Sequence, residues 1–128
     1  MTALLDTHFL LWIALGSRRL REYRWVERYA PWTVSPVSLL EIAFLGEVGR
    51  VEVRHAEFVE RLGTDPRFVI DDVGSVALAT AAFGLSWTRD PFDRLLVAHS
   101  AVRRLRLCTV DPVMLEHHSL VVRELAAR

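Results

Sequence analysis

Four carboxylates stand in apolar surroundings that make them costly. Asp6 ends the strand-like run Ala3-Leu4-Leu5-Asp6, and Asp111 follows a second apolar run, Leu107-Cys108-Thr109-Val110. Glu41 interrupts the apolar face that Val37, Leu40, Phe44, Leu45 and Val48 form at helical spacing. Asp93 lies in the helix start Asp90-Pro91-Phe92-Asp93. An isolated buried carboxylate is unfavourable unless it is paired, protonated or bound to a metal. If these acids converge, their oxygens suit a hard divalent cation, which needs only a few carboxylates and keeps several waters. One or two such ions activate water and stabilise a departing oxygen, which is what phosphodiester hydrolysis requires.

Each acid also has a purely structural reading. Asp6 can cap the helix that follows it, and Asp111 can cap a turn with Pro112 at the first helical position. Asp90-Pro91-Phe92-Asp93 is a capping signature, with Asp at the cap, Pro at the first position and an acid at the third. Glu41 is too deep in its helix to cap it or to gain from the helix dipole. Its neighbours at helical spacing are apolar, so it is expected to point inward, with an ion pair to an Arg as the structural alternative.

The elements that position these residues follow from apolar periodicity and punctuation. Residues 2–6 form a short buried strand, and a helix through Phe9, Leu10, Trp12, Ile13 and Leu15 stops at Gly16. Residues 18–30 read as a charged helix with Leu20, Tyr23, Val26 and Glu27 along one side, ended by Pro31. Thr33-Val34-Ser35 is a strand, and Pro36 opens a helix to about Glu47. A helix over 55–63, a strand over 67–70 and an Ala-rich helix over 74–83 follow. Asp90 to about Arg104 is the clearest helix and Leu107 to Val110 the clearest strand, while Leu120-Val121-Val122 fits either a last strand or a short helix. Strands separated by helices imply crossover connections and a mostly parallel sheet. Ligands bind such sheets beyond the carboxyl ends of the strands, where Asp6 and Asp111 both fall.

With 128 residues, about half of them apolar, a single domain over 1–128 with a substantial core is expected. The 16 basic and 16 acidic residues cancel, so no whole-molecule field points to a nucleic-acid partner. Every basic residue is Arg, which suits bidentate phosphate contacts, although genome base composition produces the same bias. The lone Cys108 excludes an internal disulfide and a Cys-rich zinc site, and its apolar neighbours make it a buried, inert thiol. The start of the chain lacks a basic segment followed by a long apolar one, and no apolar run reaches membrane-spanning length, so a cytoplasmic location is expected with no membrane partner.

The five histidines include no pair at i, i+4 on one helix, so structural or surface roles are expected, with His8 near the Asp6 segment. The run Arg18, Arg19, Arg21, Arg24, Arg28 reads as a solvated face or as a basic wall for RNA phosphates or an acidic partner segment. Trp12, Trp25, Trp32 and Trp87 are core candidates, and Trp25 and Trp32 could also flank an exposed apolar groove.

The residues around the acids add specificity. Leu4-Leu5-Asp6-Thr7-His8 with Leu11-Trp12, Ser35-Pro36-Val37-Ser38-Leu39-Leu40-Glu41-Ile42-Ala43, Arg89-Asp90-Pro91-Phe92-Asp93-Arg94-Leu95-Leu96-Val97-Ala98 and Cys108-Thr109-Val110-Asp111 occur in this order across residues 4–111. In that ordered set the chain resembles the PIN-domain ribonucleases, and within them the VapC-like toxins of prokaryotic toxin–antitoxin pairs. The resemblance implies a compact α/β/α sandwich with a mostly parallel central sheet and a Mg2+- or Mn2+-dependent endoribonuclease site acting on single-stranded or loop RNA. Asp6, Glu41, Asp93 and Asp111 match the family's acidic quartet as catalytic and metal-binding residues. Asp93 fits the third acid because Leu95 to Ala98 follow it, and Asp90 is then a cap or an outer acid. Thr7, Ser38 and Thr109 flank the acids and are placed to orient them. A cognate antitoxin seated in an apolar groove and a homodimer are also implied. An RNA-processing nuclease without an antitoxin, or a non-catalytic domain that only binds RNA or protein, are the rival readings.

Overall fold

The computed structural model describes residues 2–124. Its sheet has four strands, β1 (Leu4–Leu5), β2 (Trp32–Val34), β3 (Phe68–Ile70) and β4 (Leu107–Cys108), in the order β3-β2-β1-β4. All pairings are parallel: Leu4 registers with Thr33 and Leu107, Leu5 with Cys108, and Trp32, Thr33 and Val34 with Phe68, Val69 and Ile70. The fold is therefore α/β with an all-parallel sheet. β1 lies inside the sheet, which explains its uninterrupted apolar run, since Ala3, Leu4 and Leu5 are wholly buried.

Side chains alternate across the sheet and seed two cores. Leu5 and Cys108 join Phe9, Leu10, Val26, Trp32, Ile42 and Phe58 on one face. Leu4 and Leu107 join Leu96, Val97, Met114 and Val121 on the other. The helices supplying these layers are α1 (Thr7–Ala14), α2 (Pro36–Glu47), α3 (His55–Thr64), α4 (Ser75–Ala82), α5 (Pro91–Arg103) and α6 (Pro112–His117). Among the described residues no helix is long and apolar enough to cross a membrane.

The structure corrects several sequence-based expectations. The charged segment 18–30 is not one α-helix but two 3₁₀ stretches, Arg18–Glu22 and Arg24–Tyr29, broken at Tyr23. Leu20, Tyr23, Val26 and Tyr29, shielded at every third position, follow the period of a 3₁₀ helix, and the buried Trp25 adds to them out of that period. Glu27, expected on that inner side, is exposed. Trp25 and Trp32 are core residues: they are 8% and 4% exposed, and the Trp32 indole N–H donates to the Val26 carbonyl at 2.8 Å.

The face of α2 is also rotated from its expected position. Val37, Ser38 and Ile42 are buried, whereas Leu40, Phe44 and Val48 form an exposed stripe, leaving Glu41 half-buried at the boundary. β1, β3 and β4 are shorter than expected, β4 ending at Cys108, and β2 starts one residue earlier and ends at Val34. The helix α6 was missed except as a capped turn, and Val121 makes an isolated parallel bridge to Leu107, so the 120–122 segment is extended.

Candidate functional site

Asp6 leaves β1 directly and is buried, with its backbone N–H donating to the Cys108 carbonyl at 2.9 Å across to β4. It sits at the N-cap of α1, yet its side chain makes no capping hydrogen bond. Its Oδ2 instead accepts from the buried Thr109 hydroxyl at 2.6 Å, and Thr109 Oγ1 accepts from the Asp111 N–H at 3.0 Å. Thr109 thus fixes the spacing between the acids that follow β1 and β4. Burial pushes the Asp6 carboxyl above its ordinary value against the opposing pull of Thr109 and His8, and the nearby Asp111 adds to the rise.

Glu41 is tied to the same corner through α1. The Thr7 hydroxyl donates to Glu41 Oε1 at 2.6 Å and lies 2.8 Å from the Ser38 hydroxyl. Having one proton to give, Thr7 accepts from Ser38, so a Ser38–Thr7–Glu41 relay joins α2 to the start of α1. Glu41 is raised by burial first, then by Asp6 and Asp90, while the Thr7 hydrogen bond holds it down. No Arg forms an ion pair with it among the described residues, so the structural alternative for Glu41 is not what the fold adopts.

Asp90 and Asp93 take different positions at the start of α5. Asp90 Oδ1 caps the helix by accepting from Phe92 N and Asp93 N at 2.8 and 3.2 Å. Asp93, half-buried in the first turn, receives no side-chain hydrogen bond from the described residues. Burial and then the charges of Asp90, Asp6, Glu41 and Asp111 push it up to about 7. Asp111 Oδ1 caps α6 through Val113 N and Met114 N at 2.8 and 3.4 Å. The capping readings of Asp90 and Asp111 therefore hold in the structure, and each leaves a second carboxylate oxygen uncommitted by the cap.

The fold brings Asp6, Glu41, Asp90, Asp93 and Asp111 to one edge, near enough for mutual repulsion. Among the described residues, however, no three His, Cys, Asp or Glu side chains form a ready-made ion cage. The donor set is all carboxylate oxygen flanked by hydroxyls, which matches a hard cation and not a soft one.

A second polar cluster escaped sequence reasoning. The wholly buried His99 of α5 places Nδ1 2.7 Å from Ser35 Oγ and Nε2 2.7 Å from Asp71 Oδ2, and Arg103 Nε donates to the same Asp71 oxygen at 2.8 Å. Ser35 in turn caps α2 by accepting from Val37 N at 3.1 Å. Asp71 follows β3 as directly as Asp6 follows β1, and that parallel was the available signal. His118 is also structural, 2.8 Å from Ser100 Oγ, while His117 stacks on Trp87. Cys108 is buried, and desolvation pushes its thiol up to about 12, as expected of an inert core residue.

A pocket of about 590 Å³ opens beside the acids, its lining shared by Asp6, Asp111, Trp12, Arg19, Glu22 and Tyr23. His8 also lines it, close enough to lower both Asp6 and Glu41.

Comparison with known proteins places this arrangement. Over 127 residues the chain is 29% identical to ribonuclease VapC22 of Mycobacterium tuberculosis, covering 91% of this chain and 92% of that protein. A chain of a toxin–antitoxin complex from Klebsiella pneumoniae superposes with a TM-score of 0.69 at 20% identity, covering 95% of this chain and 97% of that one, which is a likeness of fold. The family model of the PIN domain matches residues 3–118, a span that includes Asp6, Glu41, Asp93 and Asp111, and the chain belongs to the PIN domain family.

Proposed function

We propose that the chain is a divalent-metal-dependent endoribonuclease, the toxin of a toxin–antitoxin pair that a cognate antitoxin protein silences. The observation that carries the reading is the acid edge, where five carboxylates gather and, among the described residues, no Arg pairs with any of them. Asp93 is raised to about 7 by burial and by four neighbouring carboxylates, with no cation among its causes. Such an edge is unfavourable by itself and becomes favourable around a cation. The relative named as a ribonuclease and the structural neighbour solved within a toxin–antitoxin complex support the substrate class and the partner.

In this reading Asp6, Glu41 and Asp93 hold magnesium or manganese, with Asp111 completing the set. Bound there, the ion supplies charge neutralisation for a phosphodiester and lowers the pKa of water. Thr109 orients Asp6, and the Ser38–Thr7 relay orients Glu41. Asp90 caps α5 and holds Asp93 in its first turn. The exposed Arg19 at the pocket rim is placed to meet RNA phosphate.

The test is cleavage of a single-stranded and a stem-loop RNA with magnesium, manganese or chelator, for the unaltered chain and for Asp6→Asn and Glu41→Gln. Cleavage that needs metal and disappears in both variants supports the reading. Cleavage undiminished in both variants, or unaffected by chelator, ends it.

A further inference from the structure

The pocket beside Asp6 and Asp111 has features that metal-dependent hydrolysis alone leaves unused. Trp12 and Tyr23 form its aromatic wall, their rings nearly parallel at 9° and 5.8 Å apart, and both are only partly buried. The exposed Arg19 guanidinium lies 5.7 Å from the Trp12 ring centroid. An exposed cation–π contact is weak, so a flat ring of larger area can displace it and release the guanidinium. Glu22 supplies a carboxylate on the same wall. Arg18, Arg19, Arg21 and Arg24 surround it in sequence, yet among the described residues Glu22 forms no ion pair and its carboxylate accepts no hydrogen bond. A free acceptor, an aromatic wall and an exposed cation at the edge of an acid cluster are the parts of a site for an unstacked base and its phosphate.

The acceptor chooses among the bases. A carboxylate offers only acceptors. Guanine presents two adjacent donors, N1–H and N2–H, on its Watson–Crick edge. Adenine and cytosine each place a ring-nitrogen acceptor beside one amino donor, and uracil flanks its single N–H with two carbonyls. Guanine alone meets Glu22 with two hydrogen bonds and no repulsion. Resting on the ribonuclease reading above, we infer that this pocket holds a guanine next to the scissile phosphate, stacked on the Trp12–Tyr23 wall, read by Glu22 and with its phosphate met by Arg19. The pocket volume of about 590 Å³ accommodates a nucleotide.

Two measurements test the pocket separately from the chemistry. In chelator, where the proposed cleavage stops, tryptophan fluorescence follows binding of 5′-GMP, 5′-IMP, 5′-AMP, 5′-CMP and 5′-UMP. GMP is expected to bind about tenfold tighter than IMP, which lacks the N2 amino group, and than the other three. Glu22→Gln is expected to bring the GMP-to-IMP ratio near one, and Trp12→Leu to weaken all five by roughly tenfold. Glu22 is exposed, so its variant remains informative even if the Trp12 variant fails to fold.

With magnesium, RNAs differing only by guanosine or inosine at each position around the cut are then compared. A rate ratio of about ten at one position, lost in Glu22→Gln, supports the pocket. Equal rates at every position, together with equal GMP and IMP affinity, overturn it while leaving the nuclease reading intact. GMP selectivity without cleavage of any RNA retains the guanine site and rejects the ribonuclease. If Glu22→Gln and Trp12→Leu abolish binding of a co-expressed antitoxin while base preference is absent, the pocket belongs to a protein partner and the inference fails.

Discussion

Asp93 and Asp71 are both half-buried aspartates in contact with the α5 region, yet their surroundings treat them oppositely. Around Asp93, burial and four other carboxylates act in the same direction and push it up to about 7. Around Asp71, burial also pushes upward, but hydrogen bonds from Arg103 and His99 outweigh it and hold the carboxyl below its ordinary value. The brace at Asp71 is complete within the chain: it locks Ser35, the cap of α2, to α5 and to the end of β3. The acid edge has no such brace: among the described residues no Arg pairs with Asp6, Glu41, Asp90, Asp93 or Asp111. A carboxylate that the fold provides with a cation is held down, whereas carboxylates gathered without one push each other up.

The largest expected effect lies at that edge. Asp6→Asn or Glu41→Gln should lower metal-dependent RNA cleavage on the order of a thousandfold, the scale of several kcal/mol of lost transition-state stabilisation. Single-turnover rates at saturating magnesium check it, and a loss below tenfold would place the chemistry elsewhere. A smaller loss is expected one shell out. Thr109→Val removes the 2.6 Å bond to Asp6 and the acceptor of the Asp111 N–H, and should cost about 10–100-fold in metal affinity or rate. If calorimetric metal titration of Thr109→Val matches that of the unaltered chain, Thr109 only packs.

How legible these two regions were in the sequence differs for a physical reason. The convergence of the acids was legible because Asp6 and Asp111 follow apolar strand runs, Asp90 and Asp93 open a helix, and Glu41 interrupts an apolar helical stretch. Asp90 and Asp111 could be read equally well as caps, and the structure shows both capping, so that reading and a site reading were never exclusive. Of the brace only Asp71, directly after a strand, carried a local signal; its joining to Ser35 and His99 comes from the packing of β2, β3 and α5 and has no pattern in the sequence. The parallel sheet followed from alternating strands and helices. The 3₁₀ character of 18–29 was missed because the charge pattern invited an α-helical face, although the spacing of Leu20, Tyr23, Val26 and Tyr29 is three. The orientation of α2 was misjudged because Leu40, Phe44 and Val48 are apolar but exposed, a partition that hydrophobicity alone does not report.

The contrast predicts stability changes of opposite sign. In chelator at neutral pH, Asp93→Asn removes a repelled carboxylate and should raise stability by about 1 kcal/mol, a figure discounted for the exposed half of the side chain. Asp71→Ala leaves the buried His99 and Arg103 without their acceptor and should lower stability by about 2 kcal/mol, or roughly 5–10 °C in Tm. Differential scanning calorimetry of both variants decides the matter. Two changes of the same sign would mean that the edge and the brace do not differ in the way their pKa shifts indicate.

The smallest effect is a pH dependence of that second change. A carboxyl held below its unfolded value contributes stability that is fully present above the unfolded pKa, near 3.9, and is lost as pH falls through the lower folded value. The Tm gap between the unaltered chain and Asp71→Ala should therefore stay constant from about pH 8 to 5 and narrow only below about pH 4, by at most about 1 kcal/mol because the Arg103 end of the pair is solvent-screened. Thermal melts at half-unit pH steps resolve this. A gap that closes near neutral pH would show that Asp71 is not the group whose charge sustains the brace, and the pairing of its carboxylate with His99 and Arg103 would then be a consequence of packing around His99 rather than the reason α5 is held against β3.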